Sequence, residues 1–124
     1  MTSKKNAVLS AVVLAIVGSA GAADIDAGKS TFEHRCASCH AIGPSARGGF
    51  APQLTGIVGR RAAATADFKY SQAMKASGIV WTEKNLARFI NAPGDVVPGT
   101  SMRFWGMGNE QQVANLVAYL RTFK

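Results

Sequence analysis

The spacing of apolar positions predicts helices and no strands, because period-two alternation of apolar and polar residues is absent along the chain. The clearest helix runs from Asn109 to about Thr122. There Val113, Leu116, Val117 and Leu120 form one apolar stripe, and Asn109 with Gln112 makes a capping-box pattern. A second lies in TEKNLARFINAP, residues 82–93, where Thr82 caps, Leu86, Phe89 and Ile90 share a face, and Pro93 terminates. A short one fits SQAMKASG, residues 71–78, with Ser71 as N-cap and Gly78 just past its end. The first helix is expected to start near Asp26, run through Phe32 into the residues CASCH, and break at Gly43 and Pro44. Residues 42–70 are thick with Gly and Pro and read as one long irregular segment, and so long a loop usually wraps something functional.

The opening of the chain follows a different pattern. Lys4 and Lys5 precede an apolar run over residues 7–17, and small residues follow, ending at Ala22 and Ala23. That order of basic, apolar and small regions is expected of a secretory signal peptide cleaved just before Ala23 or Asp24. The apolar run is too short for a spanning helix, which needs about twenty residues. This places residues 1–23 in a leader and residues 24–124 in one domain with no transmembrane span, working outside the cytoplasm, in the periplasm.

Charge and length then narrow the function. The 124 residues carry 14 Lys and Arg against 7 Asp and Glu, and removal of Lys4 and Lys5 leaves 12 against 7, a formal +5. A modest positive charge outside the cytoplasm points to acidic protein partners or anionic surfaces and away from nucleic acid. The domain is small, with a core of limited size, so that a covalent or metal staple would count for much.

The candidate chemistry is concentrated in CASCH, residues 36–40, which holds both cysteines and one of the two histidines. An oxidising compartment would pair Cys36 with Cys39, but so small a disulfide loop stabilises little. If the cluster continues the first helix at about 100° per residue, Cys39 falls at about −60° and His40 at about +40° from Cys36. All three side chains then point at one object. C-x-x-C-H is the attachment signal of a c-type haem, in which the thiols form thioethers to the porphyrin and the imidazole reaches the iron. Two alternatives stand beside it. A redox dithiol needs a strand, turn and helix around it and has no use for the histidine. A structural zinc needs four ligands, and Cys36, Cys39, His40 and His34 are crowded into one stretch. His34 lies about 160° from Cys36 on the same wheel and reads as a surface residue. For a second iron ligand, Met74, Met102 and Met107 are candidates. Met102 ends PGTSM in a loop that can present a thioether directly, whereas the other two read as core fillers.

Several segments together resemble the class I cytochromes c of the c2 and mitochondrial type: GKSTF from Gly28, CASCH, APQLTGIVGR from Ala51, FKYS from Phe68, GIVW ending at Trp81, PGTSM, and LVAYL from Leu116. The resemblance covers the chain from Gly28 to Leu120. It implies an all-α small cytochrome c fold, helices joined by long loops around one covalently attached haem, in a monomeric carrier that passes one electron between redox proteins and catalyses nothing. It implies that His40 and Met102 ligate the iron and that the Pro52 carbonyl holds the distal nitrogen of His40. It makes Arg60, Tyr70 and Trp81 donors to a buried haem propionate, and gives Thr100 a hydroxyl that anchors the ligand loop. Gly28, Phe32, Leu116 and Tyr119 correspond to a crossing of the terminal helices, and Phe104 to an aromatic shielding the haem edge. The sequence departs from the family at Phe89, where a tyrosine is common. It departs again at Gly94, Asp95 and Ser101, which stand where lysines commonly ring the haem edge and leave Arg35, Arg47 and Arg103 as the nearby charges. A haem enzyme or gas sensor with an open iron position, and the dithiol oxidoreductase, are the competing functions.

Overall fold

Asp24 ties the start of the first helix to the last one. Its backbone N–H donates to Asn115 Oδ1 at 2.8 Å, ninety-one residues away, and its own carboxylate accepts from the Ala27 N–H at 3.0 Å. It is therefore the N-cap of α1 (Ile25–Arg35), two residues earlier than the expected Asp26, which sits instead in the first turn where a carboxylate faces the positive end of the helix. The computed structural model describes residues 1, 11–15 and 22–124. Among these the helices are α1, α2 (Gln72–Ala76), α3 (Glu83–Asn91), α4 (Pro93–Val96) and α5 (Glu110–Arg121), and the one β feature is an isolated antiparallel bridge between Arg61 and Val80. The leader expectation falls largely on residues 2–10 and 16–21, outside the described residues. Residues 11–15, 22 and 23 are exposed.

Short polar side chains start three further helices. Ser71 Oγ accepts from the Met74 N–H at 3.1 Å, Thr82 Oγ1 from Asn85 at 3.1 Å, and Asn109 Oδ1 from Gln112 at 3.0 Å. Pro93 ends α3 as expected but also opens α4, which was not expected. A proline at the first helical position gives up an N–H that would have no partner there anyway.

The architecture is set by α1 crossing α5. Gly28 permits it, since a Cβ at that position would lie 2.0 Å from the Asn115 carbonyl oxygen and 2.9 Å from Tyr119 Cβ. Phe32 packs on Tyr119 with ring centroids 5.7 Å apart, and Tyr119 in turn meets Phe123 edge-on at 5.2 Å. The apolar face of α3 lies against α5, so Leu86, Phe89 and Ile90 join Val113, Leu116, Val117 and Leu120 in one buried cluster. Trp81, just before α3, rests on Phe89 at 5.0 Å. Residues 37–70, which contain no helix, are draped over the open side of this frame.

Candidate functional site

Helix α1 stops before the cysteines. Phe32 O accepts from both the Cys36 and Ala37 N–H groups, at 2.8 and 2.9 Å, and this shared acceptor closes the helix. Residues 36–39 form a separate turn, and so the expectation that CASCH continues α1 is corrected. The turn is itself helical in character, because Cys36 O accepts from the Cys39 N–H at 3.1 Å and from the His40 N–H at 2.9 Å. Both thiols are free. Burial, the main cause, pushes the half-buried Cys36 thiol up to about 11 against a smaller opposing pull from the Arg35 charge.

His40 is held by the loop it faces. Its Nδ1 lies 2.8 Å from the Pro52 carbonyl oxygen, which can only accept, so Nδ1 carries the proton and the Nε2 lone pair is left free. Burial holds the imidazole below its ordinary pKa, the Pro52 hydrogen bond opposes that, and the Arg60 charge adds to it. The ring is neutral at pH 7 and suited to bind a metal.

These groups open onto a cavity of about 410 Å³, within the range of about 300–1,000 Å³ usual for small-molecule and cofactor sites. Cys36, Cys39, His40, Pro52, Arg60, Tyr70, Trp81, Thr100 and Met102 all line it. Phe32, Leu54, Ile57, Leu86, Phe89 and Leu116 supply apolar walls. Met74 lines it too, half-buried, whereas Met107 is 3% exposed in the core and its N–H donates to Ile90 O. Two of the three methionines therefore face the cavity. The loop carrying Met102 is braced from within, since Thr100 Oγ1 accepts the Met102 N–H at 3.3 Å and the Thr100 N–H donates to Val97 O at 3.0 Å.

At the polar end of the cavity, Arg60 and Tyr70 have partners within the chain. Arg60 donates to two loop carbonyls, Gln53 O at 2.8 Å and Thr55 O at 3.2 Å, and the Tyr70 hydroxyl pairs with Thr65 Oγ1 at 2.5 Å. Among the described residues the salt bridges are Lys29 with Glu33 and Arg121 with Glu83, and Arg60 is in neither. Burial lowers its pKa from the ordinary value, with Tyr70 and Asp67 opposing. Thr55, which sequence reasoning passed over, staples the loop: its Oγ1 accepts from Gly43 N–H at 2.8 Å and donates to Gly43 O at 2.7 Å. A threonine twelve residues from its glycine gives no local signal. Phe68, on an edge-to-face contact with Tyr70 at 5.0 Å, and Phe50 also line the cavity and were not singled out as site residues.

The donor set fits a haem. Two free thiols and a neutral imidazole come from one turn, the walls are apolar enough for a porphyrin, and a half-buried cation in no salt bridge suits a propionate. A helical frame around such a cavity defines a covalent haem carrier. The comparisons agree: residues 25–124 match the family model for cytochrome c. Cytochrome c2 of Rhodoblastus acidophilus is 46% identical over 103 residues, covering 83% of this chain and 95% of that protein. Cytochrome c2 of Blastochloris viridis is 41% identical over 112 residues, covering 90% and 87%. In structure, cytochrome cH from Methylobacterium extorquens superposes with a TM-score of 0.74 at 36% identity, covering 80% of this chain and 98% of that one. The chain belongs to the cytochrome c family: it is an electron-transfer protein, not an enzyme, and its cofactor is one haem c held covalently through Cys36 and Cys39.

Proposed function

We propose that residues 1–23 are removed on export and that residues 24–124 act in the periplasm as a soluble monomeric shuttle, carrying one electron at a time between redox proteins, with His40 and Met102 as the residues that would ligate the haem iron. The observation that carries this reading is the shared lining of one cavity by Cys36, Cys39, His40 and Met102, with His40 Nδ1 engaged by Pro52 and Nε2 left free. The leader boundary is supported by Asp24, which makes both a capping and a long-range hydrogen bond to the fold and is preceded by exposed Ala22 and Ala23.

When bound, the haem supplies the one-electron couple, and thioether with imidazole ligation favours its reduced form. The chain supplies the rest. Pro52 fixes the tautomer and plane of His40, and its hydrogen bond raises the basicity of the ring. Thr100 holds the backbone of Met102 in place. Arg60, Tyr70 and Trp81 line the polar margin, where the Arg60 charge offsets a carboxylate of the cofactor that would be costly away from water. The apolar walls exclude water, so little has to reorganise as charge changes.

Mass spectrometry of protein matured in an exporting host is expected to give a chain lacking the leader plus one haem that resists acid and organic extraction. Met102→Ala is expected to keep that haem, lower the midpoint potential and let the ferrous protein take up carbon monoxide rapidly. Met74→Ala is expected to change none of these. If Met102→Ala retains the ferric red-edge absorption band unaltered, Met102 is not the ligand.

A further inference from the structure

Immediately after Met102 the chain alternates residue by residue. Met102 and Phe104 are half-buried, while Ser101, Arg103 and Trp105 are exposed. Trp105 is 102% exposed, although an indole is among the most favourable surfaces to bury. The packing enforces this position. Gly106 takes φ +102°, and a Cβ there would meet Asn91 O at 2.0 Å, so the backbone after Trp105 is pressed against the end of α3. Met107, buried at 3%, anchors the next step through its N–H to Ile90 O at 3.2 Å. The segment is fixed on both sides, and the indole between is held out.

Trp105 also borders a surface groove of about 680 Å³ with Pro93, Asp95, Met102 and Arg103. Met102 thus belongs to both the cofactor cavity and this groove. Two cations stand nearby: Arg103 is exposed and has no carboxylate partner among the described salt bridges, and the Arg35 guanidinium lies 5.6 Å from the centre of the Phe104 ring. Asp95 is the one acid in the groove lining. Tryptophan and arginine are the residue types most often found carrying binding energy at protein interfaces.

We propose that Trp105 and Arg103 form the anchor by which this carrier docks its electron-transfer partner, a protein that offers an apolar pocket for the indole beside a carboxylate for the guanidinium. The proposal rests on the electron-carrier reading above. It assigns the hold on the partner to one aromatic and one cation next to Met102, in place of a wide ring of lysines.

The test uses mature holoprotein, reduced beforehand, with respiratory membranes of the source organism as oxidant and hexacyanoferrate as a small oxidant that needs no docking. Trp105→Ala is expected to raise KM for the membranes about tenfold or more while kcat, the midpoint potential and the hexacyanoferrate rate stay unchanged. Trp105→Phe is expected to recover part of that loss, and Arg103→Gln to flatten the salt dependence. Equal KM in wild type and Trp105→Ala overturns the anchor and leaves the carrier reading intact. Failure of the wild-type protein to pass electrons to membranes or hexacyanoferrate overturns the carrier reading itself. A wild-type dimer in sedimentation that Trp105→Ala abolishes overturns the proposal in favour of self-association. Wild-type binding to vesicles of phosphatidylglycerol and phosphatidylcholine that Trp105→Ala abolishes overturns it in favour of a lipid surface.

Discussion

Arg60 shows what a single residue contributes and how far its role could be read in advance. The resemblance at APQLTGIVGR pointed to a cation beside a propionate, but nothing in that string reveals that the guanidinium also bonds Gln53 O and Thr55 O. The same holds for Tyr70, whose hydroxyl meets Thr65 five residues back. Such partners depend on how a helix-free loop closes on itself, and no periodicity encodes that. Pro52 and His40, by contrast, were legible because the haem signal and its supporting proline occur at fixed places in a recognisable pattern, and their 2.8 Å contact follows. Replacing Arg60 with Gln removes the charge-assisted bonds and is expected to cost about 1.5–3 kcal/mol per bond lost, less whatever the amide recovers. The midpoint potential is expected to fall, since a positive charge near the iron favours the reduced state. Urea unfolding and spectroelectrochemical titration of the variant check the two effects separately.

At the level of elements, the helices with strong caps were legible almost to the residue: Ser71, Thr82 and Asn109 all bond the N–H groups that their positions predict. The errors lie where two residues compete. Asp24 and Asp26 are both good caps, and the tertiary bond from the Asp24 N–H to Asn115 favours the earlier one. The short α4 escaped notice because a proline that stops one helix was not read as the start of another. The crossing of α1 with α5 makes a direct prediction. Gly28→Ala sets a Cβ 2.0 Å from a backbone oxygen that cannot rotate away, so the helices must separate, at a cost of about 1–3 kcal/mol. In a domain of this size that lowers the melting temperature by about 4–8 °C per kcal/mol, measurable by circular dichroism. The Met102 loop makes another. The segment from Pro93 to Met102 contains no lysine, and Phe89 has no hydroxyl to offer the sulfur. Losing a hydrogen bond worth about 1 kcal/mol does not create a replacement ligand. With Met102 as the proposed ligand, ferric protein titrated to alkaline pH and followed by electron paramagnetic resonance is expected to keep a methionine-type signal through mildly alkaline pH. A lysine-type low-spin signal that disappears in Lys75→Ala or Lys84→Ala would show that the loop opens more freely.

The whole molecule carries a modest positive charge, and little of it gathers at the Met102 face. Exposed charges are screened over about 8 Å at physiological ionic strength, so partner reduction is expected to fall with added salt, but gently. Neutralising Arg35 and Arg103 together, as glutamines, is expected to remove most of that response in stopped-flow rates, and an unchanged salt slope would place docking elsewhere. The terminal crossing has a consequence in time as well as in space. α1 comes first and α5 last, and the cavity is walled in part by Leu116 and Leu120 of α5. Contacts between such distant parts of the chain form late, because their loop must close before they repay it. A chain emerging from its N-terminus would therefore present the turn of Cys36, Cys39 and His40 long before the lid of its own site exists. On this ordering both thiols are accessible while the chain is incomplete, and Cys36 becomes half-buried only when the fold closes, while Cys39 stays exposed. A chain cut short before Glu110 is expected to retain reactive cysteines and to lack the closed cavity.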